Sequence, residues 1–119
     1  MGTSIQTDIG IIYIDKNVIA TLAGIATMEC IGIVGMVSSR VFSDGINELL
    51  GREALSKGVD IIAKDDELNI RVNVVAGYGN RLTIIASNVI DNVKYIVEKH
   101  TGLTVDKVDV NIQGVRIID

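Results

Sequence analysis

Hydrophobic and polar positions alternate from Leu68 to Val74: Leu68, Ile70, Val72 and Val74 fall on one side, Asn69, Arg71 and Asn73 on the other. A period of two predicts a strand with one dry face and one face that is wet or lightly covered. Residues 59–64 read as a preceding strand, with Asp65-Asp66-Glu67 as the acidic turn of a hairpin. Beyond Gly77-Tyr78-Gly79-Asn80 the period lengthens. Leu82, Ile85, Ala86, Val89, Ile90, Val93, Ile96 and Val97 then collect on one stripe of a helical wheel, with Thr83, Ser87, Asp91, Lys94 and Glu98 away from it. Asn80 is placed to cap this helix and Gly102 to end it in a left-handed turn. A last strand runs from Val105 to about Ile118. Its apolar positions shift from Val108, Val110 and Ile112 to Val115 and Ile117 across Gly114, which predicts a β-bulge or bend.

The first half is less regular. Residues 10–14 read as a strand closed by Asp15, and Asp15 or Asn17 caps the helix that follows. Val18, Leu22, Ile25, Ala26 and Glu29 lie at helical spacing, while Ala20, Ala23 and Gly24 keep the helix thin enough for close packing. Residues 30–32 end it, and 33–37 form a weak strand or extended connection. Ser43 or Asp44 opens a short amphipathic piece with Ile46, Leu49 and Leu50, which Gly51 interrupts before Gly58 closes the region. The order β-α-(β/α)-β-β-α-β predicts an α+β fold, a two-layer sandwich of an antiparallel-rich sheet with helices on one face. A ferredoxin-like arrangement is one candidate, with the strand order open. No repeat or linker divides residues 1–119, so a single domain is expected.

Composition supports a sheet. Twenty Ile and fifteen Val against seven Leu and seven Ala favour β-branched strand residues, and a mean hydropathy of +0.41 excludes a disordered chain. Residues 1–59 carry four basic and six acidic groups and residues 60–119 seven and nine, so each half nets two negative charges. With no basic run, nucleic acid is not an expected partner. Residues 18–37 contain one charged side chain, Glu29, and invite a membrane reading. Glu29 together with Gly24, Gly32 and Gly35 favours a buried helix followed by a β-like stretch, so no integral membrane segment is expected. One cysteine and the absence of a basic, apolar leader suit a cytoplasmic location.

Convergent chemistry is scarce. His100 is the only histidine and sits in the last turn of the long helix, where the helix dipole favours its charged form. Cys30 reads as a small apolar residue, and no zinc ligand set can be assembled. Asp65-Asp66-Glu67 lacks the ligand spacing of a calcium loop. Gly77-Tyr78-Gly79 lies where dinucleotide folds bind phosphate, yet Leu82 occupies the place of the third glycine. Glu29, in apolar surroundings, is the best candidate for a shifted carboxyl. No catalytic residue, metal or cofactor is expected. Two binding features remain: a pocket at the strand-to-helix turn near Tyr78 and Asn80, and the outer face of the long helix. There Ile84 and Tyr95 fall near 200° and 220° when Leu82 is set at zero, about 16 Å apart along the axis, with Asn88 and Asp91 between them.

Several pieces in order resemble one family. They are Gly10-x-Ile12-x-Ile14, Asp44-Gly45 with Glu48-Leu49-Leu50-Gly51, Leu55-Ser56-Lys57-Gly58-Val59, Tyr78-Gly79, Thr101-Gly102-Leu103 and the closing Val108-x-Val110-x-Ile112-x-Gly114-Val115. Together they resemble the alkaline-shock-protein family of Gram-positive bacteria, in its YloU-like branch, over nearly the whole chain. The resemblance implies a small cytoplasmic envelope-stress protein without catalytic activity. It implies self-association into homo-oligomers, and attachment at the membrane periphery through a separate anchor protein. It also implies a link to a dihydroxyacetone-kinase-like fatty-acid kinase. The alternative is a small-molecule-sensing module that regulates a metabolic enzyme.

Overall fold

The computed structural model describes residues 3–38, 49–64, 66–79 and 81–117. In chain order the elements are β1 (Thr3–Gln6), β2 (Ile11–Ile14), α1 (Lys16–Met28), β3 (Ile33–Met36), a 3-10 helix (Arg52–Gly58), β4 (Val59–Lys64), β5 (Glu67–Gly77), α2 (Leu82–Thr101) and β6 (Lys107–Arg116). The mixed α+β class and the antiparallel-rich sheet agree with the periodicities. The expected piece at Ser43, Asp44 and Ile46 lies outside the described residues, as do Asp65 and Asn80.

Strand β5 is the spine of the main sheet. Its first half pairs antiparallel with β4, from Val59↔Val72 to Lys64↔Glu67, and its second half pairs antiparallel with β3 at Val74–Ala76. Along its other edge it pairs in parallel with β6, from Asn69↔Lys107 to Gly77↔Arg116. Because β6 lies opposite both, β3 and β4 share one edge of β5 in series. The register of β6 slips between Val74 and Val75, opposite Ile112 and Gly114, which is the bulge that the phase change implied. The hairpin between β4 and β5 turns through Asp66 at φ 66°, a conformation that aspartate tolerates better than most residues.

The helices cover one face of this sheet. Leu68, Ile70, Val72 and Val74 of β5 meet Val89, Val93 and Val97 of α2 and Ile19, Ala23 and Ala26 of α1 in one buried core. Gly102 caps α2 in the left-handed conformation at φ 76°, as expected. At its other end the N-cap position is Arg81, whose side chain makes no capping bond. Just beyond α2, Lys94 and Glu98 together hold both backbone groups of Val105: Lys94 Nζ donates to the carbonyl at 2.8 Å, and Glu98 Oε2 accepts from the N–H at 2.9 Å.

Three expectations need correction. The opening strand does not join the main sheet; among the described residues it pairs with β1 alone, an unforeseen strand, in a separate two-stranded ribbon. Helix α1 turns a different side inward: Ile19, Ala20, Ala23, Gly24, Ala26 and Thr27 are buried, whereas Val18, Ile25 and Glu29 of the expected stripe are exposed. Small side chains decide this, since a Cβ at Gly24 would lie 2.9 Å from Cβ of Leu55 in the 3-10 helix. Finally, Asn73 is not on a wet face. It is 2% exposed, donates from Nδ2 to the Gly58 carbonyl at 3.1 Å, and accepts at Oδ1 from Asn111 and Gln113. It knits the joint where β3 and β4 meet along β5, because a buried amide needs partners for each of its polar atoms.

Candidate interaction surfaces

Of the groups with chemical potential, Glu29 and Cys30 are neighbours at the end of α1, while His100 lies in the last turn of α2. Glu29 caps the C-terminal end of α1 and is exposed, and His100 is exposed in the last turn of α2. Cys30 is half-buried, and its Sγ donates to the Ala26 carbonyl at 3.5 Å. Burial pushes its thiol pKa up, and the Glu29 charge adds to the rise against a hydrogen bond to Asn92 that lowers it. Such a thiol is a poor nucleophile at neutral pH. Among the described residues, no group of three or more His, Cys, Asp or Glu side chains is placed to hold a metal. Ion pairs are sparse there too; Lys94–Glu98 at 3.3 Å is an i,i+4 pair on α2.

The strand-to-helix turn forms an open cleft of about 510 Å³ between Gly77, Tyr78, Gly79, Leu82 and Val115. Tyr78 projects into solvent there. The outer face of α2 carries Ile84 and Tyr95, 55% and 59% exposed, with Asn88 and Asp91 also in water. Lys99 Nζ lies 5.6 Å from the Tyr95 ring centre, a cation–π contact that steadies the ring on the surface.

Two apolar surfaces escaped the sequence reading. The outward side of α1, with Val18, Ile25 and Met28 exposed, borders a groove of about 510 Å³ that Leu50 and Leu55 also line. The ribbon of β1 and β2 exposes Ile9 completely at its tip, and Ile11, Ile12 and Tyr13 along β2. Its signal was present in the sequence: residues 11–14 are apolar on both faces, the pattern of a strand inside a sheet rather than at its rim.

The family model for alkaline shock protein 23, with a cell envelope-related function, matches residues 4–117. The chain belongs to that family. YloU of Bacillus subtilis, an uncharacterized protein, is 38% identical over 117 residues, covering 98% of each chain. The uncharacterized protein Spy1614 of Streptococcus pyogenes serotype M6 is 33% identical over 118 residues, 99% of this chain and 98% of the relative. YqhY, a further uncharacterized Bacillus subtilis protein, is 29% identical over 111 residues, 93% of this chain and 81% of the relative. No solved structure matches. The similarity to YloU agrees with the YloU-like branch. Among the described residues, no helix is long and apolar enough to cross a membrane.

Proposed function

We propose that this member of the family is a non-catalytic cytoplasmic protein that acts at the cell envelope by binding copies of itself and other proteins. In this reading its attachment to the membrane is peripheral. It runs through a membrane-anchor protein or a dihydroxyacetone-kinase-like fatty-acid kinase, and the latter ties it to fatty-acid metabolism. The observation that carries the reading is the exposure of large apolar side chains on three separate elements: the ribbon, α1 and the outer face of α2. Isolated exposed apolar residues are ordinary on any surface, but grouped ones mark contact sites, as on the ribbon and α1; on α2 Ile84 and Tyr95 stand apart on one outward face. The lack of any third group beside the adjacent Glu29 and Cys30, with His100 in the last turn of the other helix, supports the non-catalytic half of the proposal. A crosslinking pull-down from the native cell, comparing the chain with its Ile84→Lys/Tyr95→Glu double variant, tests it. The expected result is a captured envelope partner that the folded double variant loses. Unchanged elution volume and unchanged captured proteins in that variant would remove α2 as a docking face.

A further inference from the structure

We propose that two copies of this chain join edge to edge through β2, so that their ribbons merge into one four-stranded antiparallel sheet. The inference rests on the self-association in the functional reading and names the surface that performs it. Strand β2 is Ile11-Ile12-Tyr13-Ile14, without a charge, a proline or a bulge. Natural sheets guard exposed edges with such features. In the main sheet β4 carries Asp60 and Lys64, β6 carries Lys107, Asp109 and Arg116, and β3 has a register shift between Ile33 and Gly35. Strand β1 is as bare of charge as β2, but three of its four side chains, Thr3, Ser4 and Gln6, are polar, whereas β2 is apolar throughout. Among the described residues β2 pairs with β1 alone, and a two-stranded ribbon is marginal in water.

The hydrogen-bond pattern fixes which backbone groups are free. At the ribbon's turn the Thr7 N–H donates to the Gly10 carbonyl at 2.8 Å. Antiparallel pairs alternate between bonded and non-bonded, so Ile5↔Ile12 and Thr3↔Ile14 are the bonded pairs. Ile11 and Tyr13 therefore aim their N–H and C=O groups at the open edge. A two-fold axis through Ile12 sets Ile11 of each copy opposite Tyr13 of the other. All four edge groups of each strand are then satisfied, in two cross-strand pairs of an aromatic with a β-branched residue. The same register carries Asp8, the one charge between residues 3 and 14, to the end of the second copy's β2, where Lys16 opens α1. The two tips point in opposite directions, so the Asp8 carboxylates do not meet. A second copy is the occupant this edge suits: it brings a strand equally bare of charge, and the contact is self-complementary as a two-fold interface requires.

The geometry has a direct test. In the non-bonded Ile12↔Ile12 pair the Cα atoms lie about 4.5 Å apart, within the range of about 4.4–6.8 Å that a disulfide spans. Ile12→Cys in a Cys30→Ser background should oxidise to a covalent dimer of twice the 12.8 kDa chain mass. Gln6→Cys on β1, one strand further from the axis, should not. Tyr13→Pro, which removes one outward N–H, and Tyr13→Lys, which adds an edge charge, should each reduce self-association at least tenfold with unchanged circular dichroism. A wild type that self-associates while Ile12→Cys fails to cross-link, or while Gln6→Cys links instead, would overturn the β2 interface and leave self-association standing. A wild type that stays monomeric at every concentration would overturn both.

Discussion

At residue scale, Glu98 near the end of α2 is coupled to the chain that follows the helix. The Val105 N–H is the main cause that holds the Glu98 carboxyl below its ordinary value, against some opposition from burial and with help from Lys94. A depressed carboxylate contributes stability that is fully present above the unfolded value of about 4.3 and is lost as pH falls through the folded value. Acid titration of thermal stability should therefore show a loss beginning below about pH 4.3 that the Glu98→Gln variant does not share. An identical pH profile in that variant would disprove the coupling. Cys30 gives a complementary test. Burial raises its thiol pKa, so iodoacetamide at neutral pH should label it more slowly in the folded chain than in urea. Asn73 is the residue whose role the alternation concealed. A polar residue on the second face of a strand reads as wet or lightly covered. Asn73 is instead buried among partners that come from both edges of β5, Gly58 just before β4 and Asn111 and Gln113 of β6. Asn73→Leu should cost about 1–3 kcal/mol in urea denaturation, because the Gly58 carbonyl loses its donor.

At the scale of elements, legibility followed periodicity. Strand β5, the acidic hairpin turn, the α2 stripe with its glycine cap and the bulge near Gly114 were all written in spacing, since each is set by local alternation or a local glycine. Helix α1 was not, because two of its sides are apolar. The choice between them depends on the 3-10 helix against Gly24, which no local pattern reveals. Gly24→Ala tests that choice. An exposed helical glycine would gain up to about 1 kcal/mol on substitution, but a Cβ 2.9 Å from Leu55 Cβ overpacks the joint. Overpacking typically costs about 1–3 kcal/mol, so net destabilisation is expected. A more stable variant would contradict this packing. On α2, Ile84 and Tyr95 face outward as the wheel placed them. Changing both to charged residues should alter stability by no more than about 0.5 kcal/mol per site. The ribbon was half legible: the apolar strand 10–14 stood out, but Thr3–Gln6 has too few apolar residues to announce itself.

At the scale of the whole molecule, a core of aliphatic side chains between two helices and a sheet supports a surface with apolar faces on the ribbon, α1 and α2. The family has a cell envelope-related function, and the proposed function gives these faces the task of contact. Alkaline carbonate washing of membranes should release the protein, since among the described residues no helix is long and apolar enough to hold it in the bilayer. Retention after the wash, without a partner, would contradict peripheral attachment. Light scattering on the eluting protein across a dilution series measures the central claim most directly. The account predicts a mass above 12.8 kDa that falls toward that value on dilution. A mass of 12.8 kDa at every concentration would contradict it.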